Sequence, residues 1–226
     1  MIHEKEYEHF LKEKTIAVVG PARSIQDSKN GDLIDSCDVV VRLNYAKIKN
    51  SKDSGTRTDV IYYDGSLHDY SNLKIKFLIC SYPKVEWFFE SRCKQNVRYY
   101  NNFYNHQVVD CALYSELKKS LSNDNKVRPN TGLIAMVDLL SYDIKSLFIT
   151  GIDFYRTAYL NTHPDYGNHS LDQVKNVFKS GDNGDYHDTE AQFEYFKNNL
   201  IIDDRVLTDE FLSKQIKLEN KNVKYW

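Results

Sequence analysis

The sequence predicts an α/β fold: a Rossmann-like, mostly parallel sheet with helices on both faces. Two observations carry this. Short apolar, β-branched runs recur along the chain, as in TIAVVG (15–20), DVVVRL (38–43) and SLFITG (146–151). Stretches of helical spacing separate them, and that alternation is the signature of parallel strands joined by crossover helices.

In order, Ile2–Glu13 places Tyr7, Phe10 and Leu11 among charges and reads as a short amphipathic helix. Thr15–Gly20 is the first buried strand and ends at glycine. Ile25–Ser36 reads as helix, weakened by Gly31, and Asp38–Leu43 as the second buried strand. Asp59–Tyr63 and Ile75–Cys80 are further strands, Val85–Lys94 a helix and Val97–Tyr100 another strand. Val108–Leu121 and Pro129–Tyr142 are helices, the latter with Leu133, Val137 and Leu140 at helical spacing behind a proline start. Ser146–Gly151 is a strong strand. The stretch after it is polar and rich in Gly, Asn, Asp and His, with one helix at Leu171–Lys179. His187–Leu200 is a helix with Phe193 and Phe196 facing the core, followed by a strand at Arg205–Leu207 and a helix at Asp209–Leu218. The reading is of one domain over residues 1–226, with 154–186 a loop or lid region over the active site.

Composition narrows the function. At 226 residues with 41% hydrophobic and 27% charged residues, the chain is an ordinary globular protein. A formal net charge of -2 gives no basic field, so nucleic acid is not an expected partner. Cys37, Cys80, Cys93 and Cys111 form no C-x-x-C pair, which argues against a disulfide framework or a zinc site. Residues 1–14 lack the apolar core of a signal peptide, and no apolar run reaches the roughly 20 residues of a membrane helix. The expected location is cytoplasmic. The basic stretch Lys214–Lys224 reads as a solvated tail able to touch an anionic membrane, and self-association stays open.

Ligands of such sheets bind at the carboxyl ends of the strands, so the loops there matter most. The first reads Gly20-Pro21-Ala22-Arg23-Ser24: glycine admits close approach, and the helix that follows offers free N–H groups to an anion. It is not G-x-G-x-x-G, so a dinucleotide is not expected. The second strand ends Arg42-Leu43-Asn44, with an amide that donates and accepts at once. Arg128-Pro129-Asn130-Thr131-Gly132 opens a helix with the polar groups of a phosphate cradle. Gly151-Ile152-Asp153-Phe154-Tyr155 follows the strand at 146–151. Gly184-Asp185-Tyr186-His187-Asp188 precedes the helix carrying Glu190 and Glu194, and a histidine near its reference pKa of about 6.5 takes a proton at neutral pH. His163, Asp165, His169, Asp182, Asp185, His187 and Asp188 raise a metal reading, but no H-x-x-x-H or H-E-x-x-H spacing supports it.

Taken in order, these segments resemble the motifs of sialyltransferases. VVGPARS…GDLIDSCDVVVRLN is similar to the large sialyl motif, and RPNTG to the small one. GIDFY matches the corresponding place in bacterial sialyltransferases of the Campylobacter type, glycosyltransferase family 42, while other features are those of family 29. Pro21 stands where animal enzymes carry Asn. The animal His-x-x-x-x-Glu spacing is absent, so Glu190 and Glu194 receive no catalytic role. Thr162–Tyr166 is similar to a further motif of the family.

The resemblance covers about Thr15–Leu200 and implies a GT-A-like sialyltransferase variant: an inverting, metal-independent transfer of a sialic-acid-type sugar from a CMP-sugar donor to a glycan hydroxyl, with no cofactor. It implies His187 as general base, Tyr155 and Tyr159 as donors to the phosphate, and Arg128 orienting the site or offsetting donor charge. Gly20, Ser24, Asn44, Asn130, Thr131, Gly132 and Asp153 fall on the nucleotide side, with His163 or His169 open as further donor contacts. A CMP-Kdo transferase, or a protein that only binds or hydrolyses CMP-sugars, remains the alternative, in lipopolysaccharide, capsule or other glycan biosynthesis. Lys47–Val127 resembles nothing in these motifs and is expected to carry much of the acceptor side.

Overall fold

A computed structural model describes residues 2–45, 47–83, 89, 93–122, 127–160, 167–179 and 187–217. Among them a seven-stranded sheet has the order β5-β4-β3-β2-β1-β6-β7. The strands are β1 (Thr15–Val19), β2 (Val39–Leu43), β3 (Val60–Tyr63), β4 (Phe77–Cys80), β5 (Asn105–Val108), β6 (Ser146–Thr150) and β7 (Val206–Thr208). Every pairing is parallel. The order turns back at β1, which lies between β2 and β6, with Val18 opposite both Val41 and Ile149. Loops leaving β1 and β6 part there and open a crevice.

The apolar runs are continuous because both faces are covered. Ile16, Val18, Val39, Val41, Leu147 and Ile149 point into the larger core, with α1 (Ile2–Leu11), α5 (Cys111–Leu121), α6 (Thr131–Leu140) and α8 (Thr189–Tyr195). Ala17, Val19, Val40 and Phe148 point the other way, onto Ile25, Leu160 and Ile34 of α2 (Gly31–Ser36). Two phenols tie the larger face together: Tyr62 of β3 donates to Asp138 of α6 at 2.5 Å and meets the Tyr7 hydroxyl of α1 at 3.0 Å.

Most elements stand where the sequence places them. The helix read over Ile25–Ser36 is two pieces, a 3-10 turn at Arg23–Ile25 and then α2, separated by left-handed Asp27 and Lys29. Gly31 is needed at the second start, since a Cβ there would stand 2.0 Å from the Ser51 carbonyl of α3 (Ser51–Ser54). Val97–Tyr100 is not a strand but the end of α4 (Lys94–Tyr100), and the strand lies later, at Asn105–Val108. Most of the helix expected at Val85–Lys94 lies outside the described residues. The Val108–Leu121 helix begins at Cys111, where Asp110 caps it by accepting from the N–H groups of Ala112 and Leu113, each at 2.9 Å. The helices at α7 (Leu171–Lys179) and α9 (Glu210–Lys217) lie as expected. No helix among the described residues is long and apolar enough to cross a membrane.

Candidate active site

A cleft opens at the carboxyl ends of the strands, at the point where the order turns back. Its walls include Asn44, Asn130, Thr131, Gly132, Asp153, Tyr155, Tyr159 and His187, drawn from segments far apart in the chain. Gly20 lines a smaller neighbouring pocket that shares Pro21, Leu43, Asn44 and Tyr45 with it. Ser24 lies elsewhere, in the groove lined by Gln26, Leu33 and Phe211. Its N–H donates to Thr157 Oγ1 at 3.1 Å, so it ties the turn after β6 to the first loop.

The glycines at the crevice serve backbone packing. A Cβ on Gly20 would stand 2.3 Å from the Gly151 carbonyl, and Gly151 itself has φ +65°. The two strand ends therefore touch, and the cleft begins where they diverge.

Asn44 has φ 50°, a conformation that asparagine tolerates better than most residues. Its Oδ1 accepts the Asp64 N–H at 3.0 Å and its carbonyl accepts the Tyr70 hydroxyl at 2.9 Å. That leaves the Nδ2 amide as its donor toward the cleft. Arg42, two residues earlier, is buried and works beneath the site. It donates to the Arg57 carbonyl, Thr58 Oγ1 and the Ser54 carbonyl, and burial pushes its pKa down to about 10. Asp35 accepts from Thr56 and Arg57 on the same loop.

Asn130 caps α6, its Oδ1 accepting the Leu133 N–H at 2.8 Å. Its own N–H donates to Gln192 Oε1 at 2.8 Å, which joins the start of α6 to α8. Thr131 and Gly132 are buried in the first turn, where a helix leaves backbone N–H groups without intrahelical partners.

Phe154 and Tyr155 have φ 51° and 62°. The turn swings the Tyr155 phenol to the Tyr159 phenol, 3.4 Å away, with the rings edge-on at 6.0 Å. Asp153 is buried and folds this turn, accepting from the N–H and hydroxyl of Thr157. Burial raises its pKa against those hydrogen bonds and that of Ser24.

His187 precedes the α8 cap, Asp188, whose carboxylate accepts the Ala191 N–H at 2.9 Å. Its Nδ1 lies 2.7 Å from the Arg128 carbonyl, which only accepts. Nδ1 therefore carries the proton and Nε2 is the basic nitrogen. Burial first, then the Arg128 charge, push the imidazole down to about 4, against the raising effects of the Arg128 carbonyl and of Asp64. The neutrality of the imidazole thus comes mainly from desolvation. Arg128 is absent from the cleft wall and acts on it through this carbonyl and its charge.

Sequence reasoning missed Asp64, Tyr82 and Tyr45, which complete the wall. Each follows a strand tip within Lys47–Val127 or beside it, and none belongs to a motif. Their only signal was position after a buried strand. His169 is described and lies off the cleft wall, while His163, Thr162–Tyr166, Asp182 and Asp185 fall outside the described residues. Among the described residues no group of three or more His, Cys, Asp or Glu is placed to hold a metal ion.

The family model of glycosyltransferase family 29 (sialyltransferase) matches residues 3–76, the segment that builds β1, β2, β3 and the Asn44 corner. In that segment's sequence and in its fold, the chain is sialyltransferase-like. The sialyltransferase-like fold is similar to that of a mammalian sialyltransferase solved with Gal-beta-1-3GalNAc-ortho-nitrophenol, at TM-score 0.53 and 15% identity over 83% of this chain and 66% of that one. It is similar to the monofunctional alpha-2,3-sialyltransferase Cst-I from Campylobacter jejuni, at TM-score 0.53 and 17% identity over 95% and 75% of the two chains. A CST-II variant solved with CMP gives TM-score 0.51 and 17% identity over 94% and 81%. The chain spans just under two thirds of the mammalian enzyme's length. No curated protein matches its sequence.

Proposed function

We propose that the chain transfers a sialic-acid-type sugar from a CMP-linked donor to a glycan hydroxyl, with inversion. The observation that carries this reading is the convergence of a neutral histidine, a pair of adjacent phenols, the Asn44 amide and the α6 N-terminus on one cleft. Each matches one demand of the reaction. A nucleoside monophosphate leaving group gains charge as its bond to the sugar breaks, and the Tyr155 and Tyr159 hydroxyls donate to it. Asn44 Nδ2 and the N–H groups at Thr131 and Gly132 hold the nucleotide. The acceptor hydroxyl attacks the anomeric carbon from the face opposite CMP through an oxocarbenium-like state, and its proton passes to His187 Nε2. The carbonyl of Arg128 keeps that imidazole in the required tautomer. The turn after β6, which carries both phenols, lies against the bound donor; 161–166 and 180–186 of the expected lid fall outside the described residues.

The test is a His187→Ala variant assayed with CMP-sialic acid and CMP-Kdo beside a CMP titration. Transfer falls by about 10²- to 10⁴-fold while CMP still binds. Turnover that survives the substitution contradicts the assignment of the base.

A further inference from the structure

Asp64 brings a negative charge into a cleft proposed to bind a doubly anionic donor. It follows β3 and lines the wall with His187, Tyr82, Tyr155 and Asn44. Its backbone is fixed by the Asn44 side chain, which accepts its N–H at 3.0 Å. One carboxylate oxygen is engaged: Oδ1 accepts the Ser66 N–H at 3.0 Å and lies 3.5 Å from His68 Nε2. The His68 side chain is 4% exposed and that of Asp64 39%. Among the described residues no backbone N–H and no ion pair reaches Oδ2, and the carboxylate stays ionised. Burial alone would raise its pKa, but the nearby His68 imidazole and the Ser66 N–H and hydroxyl hold it below the ordinary carboxylate value.

Such a group repels the phosphate and the carboxylate of a CMP-linked acidic ketose. It is well suited to neutral hydroxyls, since an ionised carboxylate only accepts hydrogen bonds and has lone pairs to spare. It stands within electrostatic reach of the imidazole that would deprotonate the acceptor. A sugar that places one hydroxyl at His187 brings its other hydroxyls alongside.

We propose that Asp64 determines acceptor specificity: its Oδ2 accepts a hydrogen bond from a hydroxyl neighbouring the attacking one, so the site takes an uncharged terminal sugar and disfavours an acceptor ending in an acidic sugar. This rests on the transferase reading given above. It predicts a chain that caps neutral glycans and does not extend an acidic end.

The experiment compares wild type, Asp64→Asn and Asp64→Ala with CMP-sialic acid as donor. The acceptors are lactose and lactose already carrying a terminal sialic acid, and CMP-induced thermal shift reports folding and nucleotide binding. Wild type favours lactose by about 10-fold or more in kcat/KM. Asp64→Ala raises the lactose KM by about 10- to 100-fold, the loss of a hydrogen bond to a charged group, while the donor KM stays the same or falls as the repulsion of the anionic donor is relieved. Asp64→Asn, which keeps the shape and removes the charge, narrows the ratio between the two acceptors. A change in His187 common to both acceptors cancels in that ratio. Equal use of both acceptors by wild type, an unchanged lactose KM in Asp64→Ala, or a rise confined to the donor KM overturns the proposal. Wild type that turns over neither acceptor while binding CMP contradicts the transferase reading itself.

Discussion

The proposed base has to be weak when the cleft is empty and stronger when it is full. Burial and the Arg128 charge hold His187 at about 4, so the imidazole is neutral through the physiological range but has little appetite for a proton. A CMP-linked acidic ketose would bring two negative charges beside it, and nearby anions raise a histidine's pKa. The sign follows. The basic form is lost as pH falls through the pKa, so the acid limb of kcat/KM for the donor, which reports the free enzyme, lies near pH 4. The acid limb of kcat, which reports the loaded enzyme, lies at higher pH. Steady-state rates measured from about pH 3 to pH 8 check this. A kcat limb at or below that of kcat/KM contradicts the electrostatic account. No part of this tuning was visible in the sequence, where His187 was simply a histidine before a helix. The Arg128 carbonyl that fixes its tautomer is 59 residues away.

At the scale of elements, the β6 turn and α8 have to be held together, because one carries the phenols and the other the imidazole. Arg156 does this. Its guanidinium donates to both oxygens of Glu190, at 3.2 and 2.9 Å, and its centre lies 3.9 Å from the centroid of the Phe193 ring. Phe154 packs on Phe193 and Phe196 at 5.5 and 5.1 Å between centroids. These contacts offset the cost of two successive left-handed residues, about 1–3 kcal/mol each. Arg156→Ala should lower kcat by about 10-fold or more, since small misplacements of reacting groups are costly. Arg156→Lys, which keeps the charge but loses the two-pronged geometry and the stacking, should not restore it. Parallel melting curves and CMP binding separate this from unfolding: a kcat unchanged in Arg156→Ala sinks the idea. Spacing within the last motif gave Glu190 no role, and spacing within one helix cannot reveal a partner 34 residues away. The misread strand has a related cause. Val97 and Tyr100 are β-formers, yet they are buried three apart while Arg98 and Tyr99 are exposed, which is a helical pattern. The true edge strand, Asn-His-Gln-Val, carries too little apolar signal to announce itself.

For the whole molecule, the legible part was the architecture. Six of the seven strands follow from β-branched runs, since strands buried on both faces must be apolar throughout. The crevice follows from their parallel order, and the motif-bearing loops leave the ends that line it. The polar wall between β3 and β4 was not legible, because Asp64 and Tyr82 stand alone in their segments and acquire meaning only when the sheet brings them opposite His187. The proposed mechanism requires this one crevice to be the donor site. A crystal structure of the chain with an inert CMP-sugar analogue decides whether it is. The prediction is a phosphate within hydrogen-bond reach of the Tyr155 and Tyr159 hydroxyls, with the anomeric carbon's open face turned to His187 Nε2. A nucleotide seated instead in the groove of Ser24, Leu33 and Phe211, or away from both phenols, would contradict it.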